Sequence, residues 1–180
     1  FTSFVITPFV MISIRSIIIS QYGFDIAGDW ESSRRILELV TAILTAYFSM
    51  ILLPKTSKLK NNGEIRDLIF INAIYISLLS ILTLIFFYYF RYIIYAVIYT
   101  PEFNFSSDLL LSRAFGEFLR NLLWMFGLIL VAKAKFKLYI YMSILNGILL
   151  LLLSNYFVFI YGVIGLNYAY LLNNLIMLII

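Results

Sequence analysis

Three charged residues lie at helical spacing inside one otherwise apolar stretch. Arg113, Glu117 and Arg120 follow one another at i, i+4 and i+7, so a helix would carry all three on one face. Guanidinium groups stay charged in surroundings of low dielectric constant and hold phosphate oxygens through two hydrogen bonds at once. The spacing therefore predicts a cationic surface suited to an anionic ligand that carries phosphate.

A second stretch repeats this pattern of charge. Segment 31–38 holds two glutamates and two arginines, and an apolar run upstream holds one more arginine. The residues predicted to contact the ligand are Arg15, Arg34, Arg35, Arg113 and Arg120. Two carboxylates are predicted to couple an ion or to balance the charge of neighbouring arginines, namely Glu38 and Glu117.

The same arginines have a simpler interpretation. Arg15, Arg34 and Arg35 lie near helix ends, where long side chains reach the membrane surface, and Arg113 can pair with Glu117 for purely structural reasons. Arg120 fits this interpretation least. A helix entering the membrane near residue 109 places Arg120 close to the midplane, about 16 Å down the helix and too deep for that reach.

The composition places these charges in lipid. Of 180 residues, 63% are hydrophobic and 12% are charged, with a mean hydropathy of +1.01. Soluble domains carry about 45–50% apolar and about 25% charged residues, so this chain is not one. Cysteine and histidine are absent, which excludes disulfides, thiol nucleophiles and imidazole catalysis. We predict an all-α membrane protein with no catalytic residue, metal or cofactor.

Apolar segments of about 20 residues predict membrane-spanning helices. The predicted helices are 1–20, 29–53, 67–90, 107–132, 137–160 and 163–180. The loops 54–67 and 133–137 are rich in lysine and are predicted to be cytoplasmic. These loops are too short to present a basic face to nucleic acid, so no nucleic-acid partner is expected.

The chain is expected to be part of a larger membrane protein, because Phe1 and Ile180 both lie within apolar runs. Several of its asparagines are predicted to join helices through hydrogen bonds, including Asn121, Asn146, Asn173 and Asn174.

An ordered set of short motifs resembles the second half of the O-antigen and enterobacterial-common-antigen flippases. The set covers nearly the whole chain. It consists of Arg15, Gly23, Ala27-Gly28-x-Trp30, Arg35-Ile36-x-Glu38, Leu53-Pro54, Tyr99-Thr100-Pro101-Glu102-Phe103, Gly116-Glu117-x-x-Arg120 and Ala132-Lys133-Ala134. Glu38 and Glu117 stand where the family often has Asp, and Arg120 where Lys is common. Arg34 and Arg113 match no family position.

This resemblance implies the fold of the multidrug/oligosaccharidyl-lipid/polysaccharide exporter superfamily, with twelve helices in two lobes around a central cavity. Residues 1–180 would form the C-terminal six-helix lobe, and the missing N-terminal lobe would be its partner. The implied substrate is an undecaprenyl-diphosphate-linked oligosaccharide, moved across the bacterial inner membrane. Further implied partners are a polysaccharide polymerase and a chain-length regulator.

Three other functions remain open from the sequence. A drug/cation antiporter of the same fold would need a cavity dominated by acids, whereas here five arginines face two deep glutamates. A membrane enzyme of glycan assembly, such as a polymerase or an acyltransferase, is disfavoured by the lack of histidine and by the short outer loop 91–108. A purely structural subunit would leave the stacked arginines unexplained.

Overall fold

The structure is a computed structural model that describes residues 2–98 and 107–180, and its regular elements are all helical. The elements are α1 (Thr2–Tyr47), a π-helical turn (Phe48–Leu52), α2 (Leu53–Lys58), α3 (Asn62–Ile98), α4 (Ser107–Ala132), α5 (Phe136–Tyr161) and α6 (Ile164–Ile179). Among the described residues, four stretches are long and apolar enough to cross a membrane: Ile6–Lys58, Gly63–Ile94, Ser112–Ala132 and Phe136–Tyr161. Helix α6 is apolar but shorter. An all-α membrane protein is what these helices indicate.

Helix α1 folds back on itself at Gly23. In a straight helix Ile14 and Trp30 would lie about 24 Å apart along the axis. In the structure both line one gap together with Tyr170. Gly23 makes the reversal with φ 85° and ψ 177°, a backbone conformation that L side chains rarely adopt. Helix α1 therefore consists of a first arm (residues 2–22) and a second arm (residues 24–47) that lie side by side.

This reversal is tighter than the sequence predicted. The predicted loop 21–28 is helical on both sides of Gly23. One glycine with positive φ changes the chain direction alone, so the neighbouring residues keep their helical hydrogen bonds. Helix α3 also differs from the predicted span 67–90, because it runs 37 residues, from Asn62 to Ile98. Its length of about 55 Å exceeds the hydrocarbon thickness of about 30 Å, so its ends extend beyond that layer.

The first arm packs along α5 and α6. Their shared core includes Ile14 and Ile18 of the first arm, Leu150 of α5 and Leu166 of α6, all nearly inaccessible. The second arm adds Trp30 to the same cluster. The two arms are thus held together by the α5–α6 hairpin and not only by the turn at Gly23.

The second arm continues toward α3 and α4. Phe48 is fully buried and meets Trp124 of α4 edge-on, with ring centroids 5.6 Å apart. Tyr47 donates a hydrogen bond of 2.6 Å to Asn72 Oδ1 of α3. These contacts fix the end of the second arm against both α3 and α4.

The π-helical turn relieves the strain that Pro54 would impose on a continuous α-helix. Proline has no N–H to donate to the carbonyl four residues earlier, and its ring crowds that carbonyl. In the wider turn, the N–H of Leu53 donates to the Phe48 carbonyl five residues back. The helix therefore continues into α2 without a break.

We predict that Gly165→Ala destabilises the α5–α6 hairpin. A Cβ at Gly165 would collide with the carbonyl oxygen of Phe157, which is backbone and cannot swing away. Overpacking of this kind costs about 1–3 kcal/mol. The matched control is Gly63→Ala, because a Cβ there would lie 3.5 Å from the Asn61 side chain, an ordinary contact. The thermal unfolding midpoint in detergent is expected to fall for the first variant alone, and equal midpoints would contradict the packing described.

Candidate functional site

Glu117 lies at the centre of the charged residues of α4. Its Oε1 is 3.1 Å from Arg113 Nη2, one turn earlier, and its Oε2 is 2.8 Å from Arg120 Nε, one turn later. Glu117 and Arg113 are buried, with 4% and 3% of their surfaces exposed. One carboxylate therefore faces two guanidinium groups, in the spacing that the sequence predicted for one helix face.

Tyr170 of α6 completes this group. Its hydroxyl donates to Glu117 Oε1 at 3.1 Å, and Arg113 lies over its ring, with Cζ 3.5 Å from the ring centroid. The Tyr170 hydroxyl thus stabilises the Glu117 carboxylate by a hydrogen bond, while the Tyr170 ring makes a cation–π contact with Arg113. We call Arg113, Glu117, Arg120 and Tyr170 the α4 network.

Gly116 provides the space for the Tyr170 ring. A Cβ at position 116 would lie 2.5 Å from Tyr170 Cδ1, far inside van der Waals contact. On the same side of α4, Asn174 Nδ2 donates to the Gly116 carbonyl at 3.1 Å. The Gly-Glu pair of the sequence motif therefore has a structural reason: glycine lets α6 approach, and α6 delivers the tyrosine that binds the glutamate.

Arg120 joins the α4 network to the second arm of α1. Its Nη2 donates to Thr41 Oγ1 at 2.8 Å, and Thr41 lies 3.3 Å from Asn121 Oδ1. The Arg120 side chain is 28% exposed, so it is less enclosed than Arg113. A narrow gap lined by Glu117, Asn121 and Ser80 of α3 lies beside these groups.

A second group of charges lies along the second arm. Arg34 sits between two carboxylates: its Nη2 is 2.5 Å from Glu31 Oε1, and its Nη1 pairs with Glu38 Oε1. Arg35 contacts Glu31 through Nε alone, at 3.0 Å. Its side chain is 67% exposed, against 14% for Arg34. Of these two adjacent arginines, only Arg35 presents its terminal nitrogens outward.

Arg15 stands apart from both groups. It is exposed on the first arm and makes no hydrogen bond or ion pair with any residue that the structure describes. The structure thus brings six of the seven predicted site residues into two groups, one on α4 and one on the second arm, and leaves Arg15 outside. The motif at 99–103 lies outside the described residues.

The charges in these two groups nearly cancel. The four arginines at 34, 35, 113 and 120 face the three glutamates at 31, 38 and 117, which leaves a net charge of +1. The sequence predicted a cavity with a cationic lining, in which glutamates can balance the charge of neighbouring arginines. In the structure, Arg34 and Arg113 both pair with carboxylates. The simpler interpretation of Arg113, a structural pair with Glu117, describes the geometry observed.

The chain is 24% identical over 165 residues to the Lipid III flippase of Escherichia coli K12 and, to the same extent, to that of Shigella flexneri. The alignment covers 91% of this chain and 39% of each relative. This chain is similar to flippases. It spans about two fifths of their length, and no protein-family model or solved structure matches it.

Tyr170 is a residue of the site that the sequence did not single out. A signal was present, because Asn167, Tyr170 and Asn173/Asn174 recur every three to four residues and so define a polar face of α6. In the structure this face packs on α4 and α5, where Asn173 donates to Asn146 at 2.7 Å.

We predict that Glu117→Gln destabilises the protein by about 3–5 kcal/mol, because an amide leaves the buried Arg113 and the partly exposed Arg120 without their shared counter-charge. The control is Glu64→Gln, which removes an exposed carboxylate at the start of α3. Unfolding in detergent monitors the effect. If the Glu117→Gln protein is absent from the membrane while the Glu64→Gln protein is present, that outcome also shows destabilisation. Equal stability of both variants would show that Glu117 does not hold the network together.

Proposed function

We propose that this chain is the C-terminal six-helix lobe of a flippase for lipid-linked oligosaccharides. The observation that carries the proposal is the similarity to the Lipid III flippases over 91% of the chain. The ordered motifs support the same cargo class, since they resemble flippases of O-antigen and enterobacterial common antigen. The cargo proposed is an undecaprenyl-diphosphate-linked repeat unit, used to build a surface polysaccharide such as O-antigen.

The physical need for such a protein is the charge of its cargo. A diphosphate carries two or more negative charges, and bare transfer of an ion into hydrocarbon costs far more than thermal energy. Cations along a hydrated path lower that cost, provided that they are free to contact phosphate oxygens. The polyprenyl tail needs no such path and stays in lipid.

Arg35 is the residue best placed for this contact. Only its Nε is engaged by Glu31, so its outer edge keeps terminal N–H donors for two phosphate oxygens. Its neighbour Arg34 is held on both sides by carboxylates and lacks that edge. Arg34 therefore serves to hold Glu31, which in turn orients Arg35.

Arg15 and Arg120 are the further contacts proposed. Arg15 is exposed and unpaired among described residues, and Arg120 is partly exposed with one terminal nitrogen on Thr41. Arg113 is enclosed by Glu117 and Tyr170 and acts as a structural cation. Glu38 and Glu117 act as charge-balancing residues in this mechanism, because each already pairs with arginine.

The mechanism proposed is alternating access between two lobes. Arg15 and Arg35 lie exposed on α1, so the cargo cavity would lie between this chain and an N-terminal lobe. Rocking of the lobes would open that cavity to one side of the inner membrane and then to the other. The lysine-rich loops would face the cytoplasm. A polysaccharide polymerase and a chain-length regulator would use the delivered unit.

Arg35→Gln in the full-length protein is expected to lower flipping by about 10- to 100-fold, since a hydrogen bond to a charged group is worth about 1.5–3 kcal/mol. Flipping is measured in proteoliposomes with a fluorescent undecaprenyl-diphosphate oligosaccharide. Stability should be unchanged, because the side chain is mostly exposed. Arg66→Gln is the control, being an exposed arginine distant from the site.

Arg34→Gln distinguishes a residue that binds the cargo from one that stabilises the site. Arg34 pairs with Glu31 and Glu38, so its loss should lower the thermal unfolding midpoint as well as the flipping rate. If Arg35→Gln flips at the rate of the Arg66→Gln control, Arg35 does not bind the diphosphate. If the lipid-linked sugar is joined or cleaved and not moved, the protein is an enzyme of glycan assembly and the proposal is wrong.

A further inference from the structure

Two turns of the chain meet at one end of the helix bundle. Lys133, at the end of α4, donates from Nζ to the carbonyl oxygen of Leu59, which follows α2. The α4–α5 turn is tight: Ala134 has a φ of 56°, and the Lys135 N–H donates to the Leu130 carbonyl at 2.8 Å. The α2–α3 turn and the α4–α5 turn therefore lie side by side, and we call residues 55–67 with 133–137 the lysine end.

The lysine end holds more than the entire net charge of the chain. It contains seven cations and two carboxylates, a net charge of +5, whereas the whole chain carries +4. The rest of the chain therefore carries a net charge of −1. Asp67 lies 3.8 Å from Arg66, and five lysines have no carboxylate partner among the described residues, namely Lys55, Lys58, Lys60, Lys135 and Lys137. All five are exposed.

Exposed apolar side chains begin directly beside these lysines. Phe136 and Leu138 alternate with Lys135 and Lys137, and Phe70 lies one turn beyond Arg66. Helices with such side chains enter lipid at this level. The lysines therefore project where the phosphates of phospholipids lie, and they can reach that level by extending along the helix.

We propose that the lysine end binds the phosphate groups of anionic phospholipids, with the headgroups lying across the two turns. The binding is electrostatic and independent of the cargo, so it does not rest on the proposed flipping activity. A soluble polyanion fits less well, because the apolar side chains beside the lysines would remain in water. Each lysine near an anionic surface strengthens attachment by about 1 kcal/mol, or about five-fold.

The experiment is native mass spectrometry of the full-length protein, titrated with phosphatidylglycerol or with phosphatidylcholine of the same acyl chains. Phosphatidylglycerol is expected to bind at least ten-fold more tightly, and added salt should reduce the difference. Replacing the five unpaired lysines with glutamine should abolish the preference, whereas replacing them with arginine should keep it. Lys133 is left unchanged, because it holds the two turns together.

Two further measurements complete the experiment. Arg91→Gln alters a cation on α3 that lies between the rings of Tyr88 and Tyr92, and it should leave the lipid preference intact. Inorganic phosphate should displace phosphatidylglycerol no better than chloride does at equal ionic strength. Equal binding of the two lipids, a preference that survives the five glutamines, or selective displacement by inorganic phosphate would each overturn the proposal.

Discussion

A guanidinium group inside a membrane protein needs a counter-charge, and this constraint shapes the whole site. Breaking a buried pair by removing one partner costs about 3–5 kcal/mol, which is a large part of the stability of a domain. Glu117 meets the requirement for two arginines at once. The same carboxylate accepts a hydrogen bond from Tyr170 and so joins α6 to α4, and Arg120 joins the second arm to α4 by donating to Thr41. The residues that compensate the buried charges are therefore also residues that join the helices.

This compensation divides arginines that look alike in the sequence. Arg34 and Arg35 are adjacent, yet one lies between two carboxylates and the other is exposed. Spacing alone does not cause this difference, because each arginine lies three residues from one glutamate and four from the other. Arg34 lies on the partly buried side of the helix together with Glu31 and Glu38, whereas Arg35 lies on the exposed side. The protein thus stabilises a charged helix and still keeps a guanidinium group available at its surface.

Much of this arrangement followed from periodicity, and the rest depended on which helices become neighbours. The spacing at 113, 117 and 120 predicted a shared face, and the α4 bounds predicted, 107–132, are those of Ser107–Ala132 in the structure. The Gly23 reversal was harder to predict, because a loop of eight residues and a single glycine with positive φ fit the same sequence. Tyr170 could not be assigned, since a polar face on α6 does not say which helix it meets. Contacts between distant segments are the information that a single sequence lacks.

The π-helical turn at Phe48–Leu52 determines which side chains of α2 face the protein. A wide turn holds one extra residue, and so it rotates everything that follows by about 100° relative to an unbroken α-helix. With that rotation Thr56 points into the protein, 1% exposed, and Lys55 points outward. Without it, the regular heptad-like spacing from Phe48 would bring position 55 to the inner side. The irregularity that accommodates Pro54 thus keeps the ammonium group of Lys55 on the outside of the protein.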